Sequence, residues 1–251
     1  MLLEELTGRI LSGSPSSRIV DFRAGLGYTA AQLDDGRCGV AYTFREAAQE
    51  SCCVIREAGS IAGRPAAEVA AWARSADPVV AAAGLATINA LVDPPATAVE
   101  SDLLALLEVE EGDAVGMVGF FGPLIGPLRA RCRHLHVFER QPGEGMLPEA
   151  EARELLPRCD VVIVTATAIL NRTIDELLGF CQGAREVAVL GPSTPFVPEV
   201  FQSRSVTLLS GVHVVDAERV LRIVCEGGGT RQLGGAVRKL TLRIGPKRRR
   251  R

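Results

Sequence analysis

A chain of 251 residues with 47% apolar content has ample material for a buried core and is long enough for one large domain or two ordinary ones. No apolar run approaches the roughly 20 residues that span a bilayer, and the opening MLLEELTGRI carries two glutamates where a secretion signal carries basic residues; we expect a soluble, cytoplasmic protein with no membrane partner. The net charge of −2 hides an acidic body: removing the five positive charges of the terminal KRRRR leaves −7 on residues 1–246, which, with 4% aromatic residues, argues against a nucleic-acid partner.

In chain order, residues 2–12 predict a helix. Between Ile19 and Phe44 short apolar stretches alternate with GLG and DDGR, the punctuation of an antiparallel meander. PAAEVAAWARS and DPVVAAAGLATINALV predict two more helices, the second capped by Asp77 with Pro78 in its first turn; its alanines and Gly84 permit close helix approach. DPPA at 93–96 is a stop, so we place a boundary near residue 95 and expect hinge-like adjustment there. Val99 to Val109 then reads as another helix.

Beyond it the pattern changes. AVGMVGFF, HLHVFER, DVVIVTAT, EVAVLGPST and SVTLLSG are strand-like runs separated by helical segments such as PEAEARELLP and NRTIDELLGFC. Continuous β-branched runs with short crossovers predict parallel strands covered on both faces, an open α/β sheet of the Rossmann kind whose ligands bind beyond the strands' carboxyl ends. VRKLTLRI is the last strand.

GMVGFFGPLIGP, Gly116 to Pro127, is the first strand-to-helix connection in that frame, a place where backbone N–H groups can hold an anion or a polar ligand. Its spacing departs from G-x-G-x-x-G, with Met117 where the first glycine would stand; Pro123 removes a donor and Pro127 is expected to delay or distort the helix start. Glu139 ends the next strand 20 residues after Gly119, where an acid binds the ribose of adenosine ligands, or else forms an exposed ion pair with Arg140. Thr165, Thr167, Asn171 and the segment Gly191, Pro192, Ser193, Thr194, Pro195 lie at further strand ends and converge on one crevice as polar, uncharged groups. Asn171, Ser193 and Thr194 also suit caps and turns. One of Phe120 and Phe121 can turn to the crevice and stack on a planar ligand.

The pointed local metal candidate is Cys132-x-His134-x-His136, three side chains on one strand face, although Cys132 also fits the end of the preceding helix. Adjacent Cys52 and Cys53 cannot easily chelate one ion and read as core fillers; the seven cysteines, without C-x-x-C spacing, read as reduced thiols. His213, after SG, reads as a loop residue near the crevice and a candidate acid or base. EGGGTRQLGG either approaches a ligand or forms a flexible turn, and Asp216 caps a helix. Hydrolase and nucleotide-triphosphate motifs do not occur.

Together VGFFGPLI, VFER, ILNRTIDELL, GPSTPFVPEVF and GGGTRQL, preceded by GLGYTA and GLATINAL, resemble the bacterial and archaeal family labelled "putative heavy-metal chelation" proteins, over residues 1–243. The resemblance implies an enolase-N-terminal-like α+β domain (1–95) followed by a Rossmann-like domain (96–246); the basic tail at 247–251 belongs to no motif of the family and is expected to be a disordered end. It implies a small-molecule pocket between the two, partial likeness to methyltransferases, and a part in making or handling metal chelators. By position it places Asn89, Gly119 to Pro123 (with Phe121 and Gly122), Glu139, Thr165, Asn171 and Gly191 to Thr194 in that pocket. Three readings stay open: a chelator-binding protein or enzyme, a transferase or oxidoreductase using an adenosine-containing cofactor such as S-adenosylmethionine, and a direct metal carrier or sensor. The apolar composition also allows a homodimer.

Overall fold

The computed structural model describes residues 1–46 and 54–246. Helix α1 (Leu2–Ser12) leads into a three-stranded antiparallel meander, β1 (Ile19–Ala24), β2 (Tyr28–Leu33) and β3 (Cys38–Tyr42). DDGR closes the second hairpin, with Gly36 at φ +89° and the Leu33 N–H donating to the Arg37 carbonyl. Helix α2 (Ala66–Ala71), extended by a 3-10 turn over Trp72–Arg74, precedes α3 (Pro78–Leu91). The Asp77 carboxylate accepts the backbone N–H groups of Val79 and Val80 and Pro78 fills the first turn, so α3 starts where the sequence predicts.

Helix α3 is apolar on nearly every side, and only a helix with cover all round is stable that way. Strands β2 and β3 lie along it, α2 packs beside it, and α6 (Thr167–Leu170) covers it from the second sheet. Its small residues set the distances. A Cβ on Gly84 would stand 1.9 Å from the Ala73 nitrogen, and one on Gly39 of β3 would stand 2.2 Å from the Ala86 carbonyl oxygen.

The second sheet has eight strands: β4 (Val99–Glu100), β5 (Ala114–Val118), β6 (His134–Glu139), β7 (Leu147–Pro148), β8 (Val161–Thr165), β9 (Glu186–Leu190), β10 (Leu208–Val214) and β11 (Val237–Arg243). Their spatial order is β4-β11-β10-β9-β8-β5-β6-β7, parallel from β10 to β7, with β11 and β4 antiparallel at one edge. The connecting helices are α4 (Gly122–Arg129), α5 (Ala152–Leu155), α6, α7 (Ile174–Phe180), α8 (Pro198–Gln202), α9 (Ala217–Cys225) and α10 (Thr230–Leu233). The chain runs outward from β5 in one direction through β6 to β7, then returns to β8 and continues the other way. Such a reversal opens a crevice at the carboxyl ends of the two central strands.

The expected helix over Val99 to Val109 does not form. Val99 pairs with Thr241, the Thr241 hydroxyl donates to the Ser101 carbonyl (3.0 Å), and Arg243 captures the Leu106 carbonyl (2.7 Å). Edge pairing to β11 thus takes the backbone groups a helix would use, leaving one 3-10 turn at Leu103–Ala105. Pro127 also behaves differently from expectation: α4 starts at Gly122 and the proline sits inside it. His213 belongs to β10 rather than a loop, whereas Asp216 caps α9 through the Arg219 N–H (3.0 Å).

The two sheets share packing. One apolar cluster runs from Leu6, Leu33 and Leu85 to Val164, Ile169 and Phe201. A second seam joins two of the sequence's glycine-rich stretches, GLG and EGGGTRQLGG: a Cβ on Gly25 would fall 2.1 Å from the Val224 carbonyl oxygen, one on Gly27 3.0 Å from that of Gly228, and Tyr28 hydrogen-bonds Thr230 (2.6 Å). EGGGTRQLGG is therefore packed against the GLG turn, away from the crevice.

No helix among the described residues is long and apolar enough to cross a membrane. Cys52, Cys53 and the basic tail lie outside the described residues. Burial pushes the thiols of Cys38, Cys159 and Cys181 up to about 12, while Cys225 is exposed. Iodoacetamide at pH 8 should label Cys225 in the native protein and reach Cys159 and Cys181 only after unfolding, as read by peptide mass mapping; native labelling of Cys181 would contradict this packing.

Candidate functional site

At the crevice, β5 ends at Val118 and the chain turns at Gly119, whose φ is +94°. A Cβ there would lie 2.9 Å from the Thr165 Cβ, so both conformation and space require glycine. Gly116 serves a different purpose. It lies within β5, where a Cβ would meet Leu156 at 2.6 Å.

Three donors of the turn are already engaged. The Gly119 N–H donates to the Phe138 carbonyl (2.9 Å), the Phe120 N–H to Glu139 Oε1 (2.7 Å) and the Leu124 N–H to the Phe121 carbonyl (2.8 Å); Pro123 has none. Glu139 Oε2 accepts the Arg140 N–H at 3.2 Å. A carboxylate thus occupies the loop position that receives phosphate in nucleotide-binding relatives of this architecture.

Above the turn lies a cavity of about 340 Å³. Its floor is Gly119 and Thr165 at the ends of β5 and β8, and its sides are Phe120, Phe121, Glu139 and Arg140. Thr167, Asn171 and Thr173 line it from α6 and the start of α7, while Tyr42 and Phe44 close it from the small sheet. The Thr165 and Thr167 hydroxyls hydrogen-bond each other at 2.9 Å; Asn171 Oδ1 accepts both the N–H (3.2 Å) and the hydroxyl (2.8 Å) of Thr173. Tyr42 and Phe44 meet edge to face, ring centres 5.2 Å apart. Glu149 completes the wall; burial pushes its carboxyl up, Arg140 opposes this, and Glu139 and Glu176 add to it.

The structure therefore gathers Gly119, Phe121, Glu139, Thr165, Thr167 and Asn171 around one space. Both Phe120 and Phe121 line it. Gly122 and Pro123 instead open α4. Asn89, Pro192 and Thr194 line a separate space of about 10 Å³, with His213, where Asn89 donates to the Val40 carbonyl (2.8 Å) and Thr194 to that of Ser210 (2.9 Å). Ser193 joins the two regions, its hydroxyl accepting the Tyr42 N–H at 2.8 Å, and Gly191 makes the preceding turn at φ +134°. Glu139, placed at the crevice by its distance from Gly119, is bonded to the loop rather than paired in the open with Arg140.

The Cys132, His134, His136 set does not assemble. His134, His136 and Phe138 stack along one face of β6, ring centres 6.3 Å apart in each step, whereas Cys132 ends the turn after α4 and packs with Leu135 and Val137 on the other face. Among the described residues no three His, Cys, Asp or Glu side chains come together as an ion would need. Tyr42, Phe44 and Glu149 escaped the sequence reading. The alternating aromatics of AYTF at the end of the third strand were a usable signal, since alternate residues share a face; Glu149 carried none.

These features define a mixed α/β protein with a Rossmann-like, mostly parallel sheet, a smaller antiparallel sheet, and a small-molecule-sized cavity at the point where strand order reverses. Two family models, each described as "Putative heavy-metal chelation", match residues 8–92 and 102–243, and the chain belongs to that family. Among solved structures it is similar to a DUF364-family protein of unknown function from Desulfitobacterium hafniense (TM-score 0.81, 26% identity, 95% of this chain and 98% of that one). It is similar also to one from Pyrococcus horikoshii (TM-score 0.83, 25% identity, 97% and 100%). An uncharacterized protein of Methanocaldococcus jannaschii is 27% identical over 134 residues, and the chain spans about half the length of that curated relative (52%).

Proposed function

We propose that this protein binds a flat, oxygen-rich small molecule of the metal-chelator class in the cavity at the strand-order reversal, and handles metal through that ligand rather than by bare-ion coordination. The make-up of the walls carries this reading: the rings of Tyr42, Phe44, Phe120 and Phe121 line about 340 Å³ together with the uncharged hydrogen-bonding groups of Thr165, Thr167 and Asn171. A few orienting polar groups in an aromatic cleft are the usual anatomy of a small-molecule site. The family description agrees with it.

Native mass spectrometry of freshly purified protein, followed by calorimetry with simple catechol and hydroxypyridinone chelators, tests the proposal. Tyr42→Ala should weaken binding by about tenfold through loss of the stacking face. Wild-type protein that retains and takes up no such compound would end this reading.

Strand order and the place of Glu139 at the end of β6 favour a second reading, an adenosine-containing cofactor with its ribose at Glu139. Calorimetry with S-adenosylmethionine and with a nicotinamide dinucleotide decides it: affinity that survives Glu139→Ala removes the ribose contact.

A further inference from the structure

Resting on the cavity reading above, a further property concerns the charge of the ligand. We propose that the cavity selects ligands that present a positive charge to its ring-lined wall, either an organic cation or a metal ion already held by a chelator, and rejects anions.

Three observations support this. First, a carboxylate already sits where the glycine turn would meet an anion: the Phe120 N–H donates to Glu139, the Gly119 and Leu124 N–H groups are engaged by backbone carbonyls, and Pro123 has none. Secondly, among the described residues that line the space acids outnumber bases: Glu139 and Glu149 stand in the wall with Arg140, and Glu176 acts on Glu149 from just outside. Glu46 and Arg45 act on Tyr42 as a pair, 3.2 Å apart. Thirdly, the rings of Tyr42, Phe44, Phe120 and Phe121 line the space, and the negative quadrupole of a ring face attracts cations and repels anions. An entering anion would meet two carboxylates against the single guanidinium of Arg140, and four rings; an entering cation would meet the same groups with the opposite sign of interaction. The half-buried position of Glu149, where low solvent screening strengthens each of these terms, adds to the contrast.

Probes of one shape and different charge test this. Phenyltrimethylammonium, its uncharged counterpart tert-butylbenzene and benzenesulfonate are titrated separately into the full chain, following the amide resonances of Tyr42, Phe121 and Thr165. The ammonium should bind at least about fivefold tighter than the neutral probe, with no sulfonate binding, and in Glu149→Gln that ratio should fall toward one. A second pair, 2,2′-bipyridine free and as its one-to-one zinc complex, separates the two sources of charge. Preference for the zinc complex with little response to the ammonium assigns the charge to a chelated metal, and the reverse assigns it to an organic cation. Equal affinity across the charge series, or tightest binding of the sulfonate, overturns the inference and leaves the cavity reading intact. No binding of any probe at these resonances overturns both.

Discussion

Replacing Gly84 with alanine should destabilise the protein by about 3 kcal/mol or more, at the top of the range for overpacking a core. The sign is the informative part, because alanine is favoured over glycine inside a helix by about 1 kcal/mol. Here the added methyl would stand 1.9 Å from the Ala73 nitrogen, 2.5 Å from its Cα and 2.7 Å from the Trp72 carbonyl carbon. All three are backbone atoms, so the clash is relieved only by moving α3 away from the Trp72–Arg74 turn and opening the cluster around it. Gly179→Ala is the matched control. It too lies in a helix, with nothing within 4 Å of the new atom, and should stabilise by about 0.5 to 1 kcal/mol. Urea unfolding of the two variants checks both signs. Wild-type stability in Gly84→Ala would show that α2 and α3 do not approach as described.

Arg185→Leu should be comparably damaging, at about 3 kcal/mol, for a different reason. Asp113 is completely buried and receives the Arg185 guanidinium at 2.6 Å, with the Glu110 N–H on the same carboxylate oxygen at 2.7 Å. Without the guanidinium, a carboxylate remains inside the protein with its main countercharge gone. The backbone carbonyl of Asp113 also accepts the N–H groups of Arg133 and His134, so this residue ties the starts of β5 and β6 at the end of the sheet opposite the cavity. Asp113→Asn combined with Arg185→Leu should recover part of the loss, since the charge is then absent on both sides. A thermal or urea series on the two variants would show it; Arg185→Leu unfolding like wild type would deny the pair its weight.

What could be read from the sequence divides along physical lines. The short apolar runs at Ala114–Val118, Val161–Thr165 and Glu186–Leu190 read as buried parallel strands because they are only five residues long, rich in valine and bounded by turn residues. Asp77–Pro78 marks a helix start because its chemistry is local. Val99 to Val109 misleads because its backbone is claimed by β11, about 140 residues later, and local spacing carries no trace of that pairing. In the same way, Glu139, Thr165 and Asn171 are legible as strand-end groups. That Asn89 and Thr194 line a different and much smaller space depends on how α3 lies across β3, which no motif encodes.

Helix α3 has a consequence for biosynthesis. A helix without a wettable side leaves the ribosome well before α6, the segment that will cover it, has been made. With translation at roughly 5 to 20 residues per second, the interval of about 80 residues leaves that hydrocarbon uncovered for about 4 to 16 seconds. The nascent chain must spend this time shielded by its own early meander or by a chaperone, so expression yield should depend on what happens before the second sheet exists.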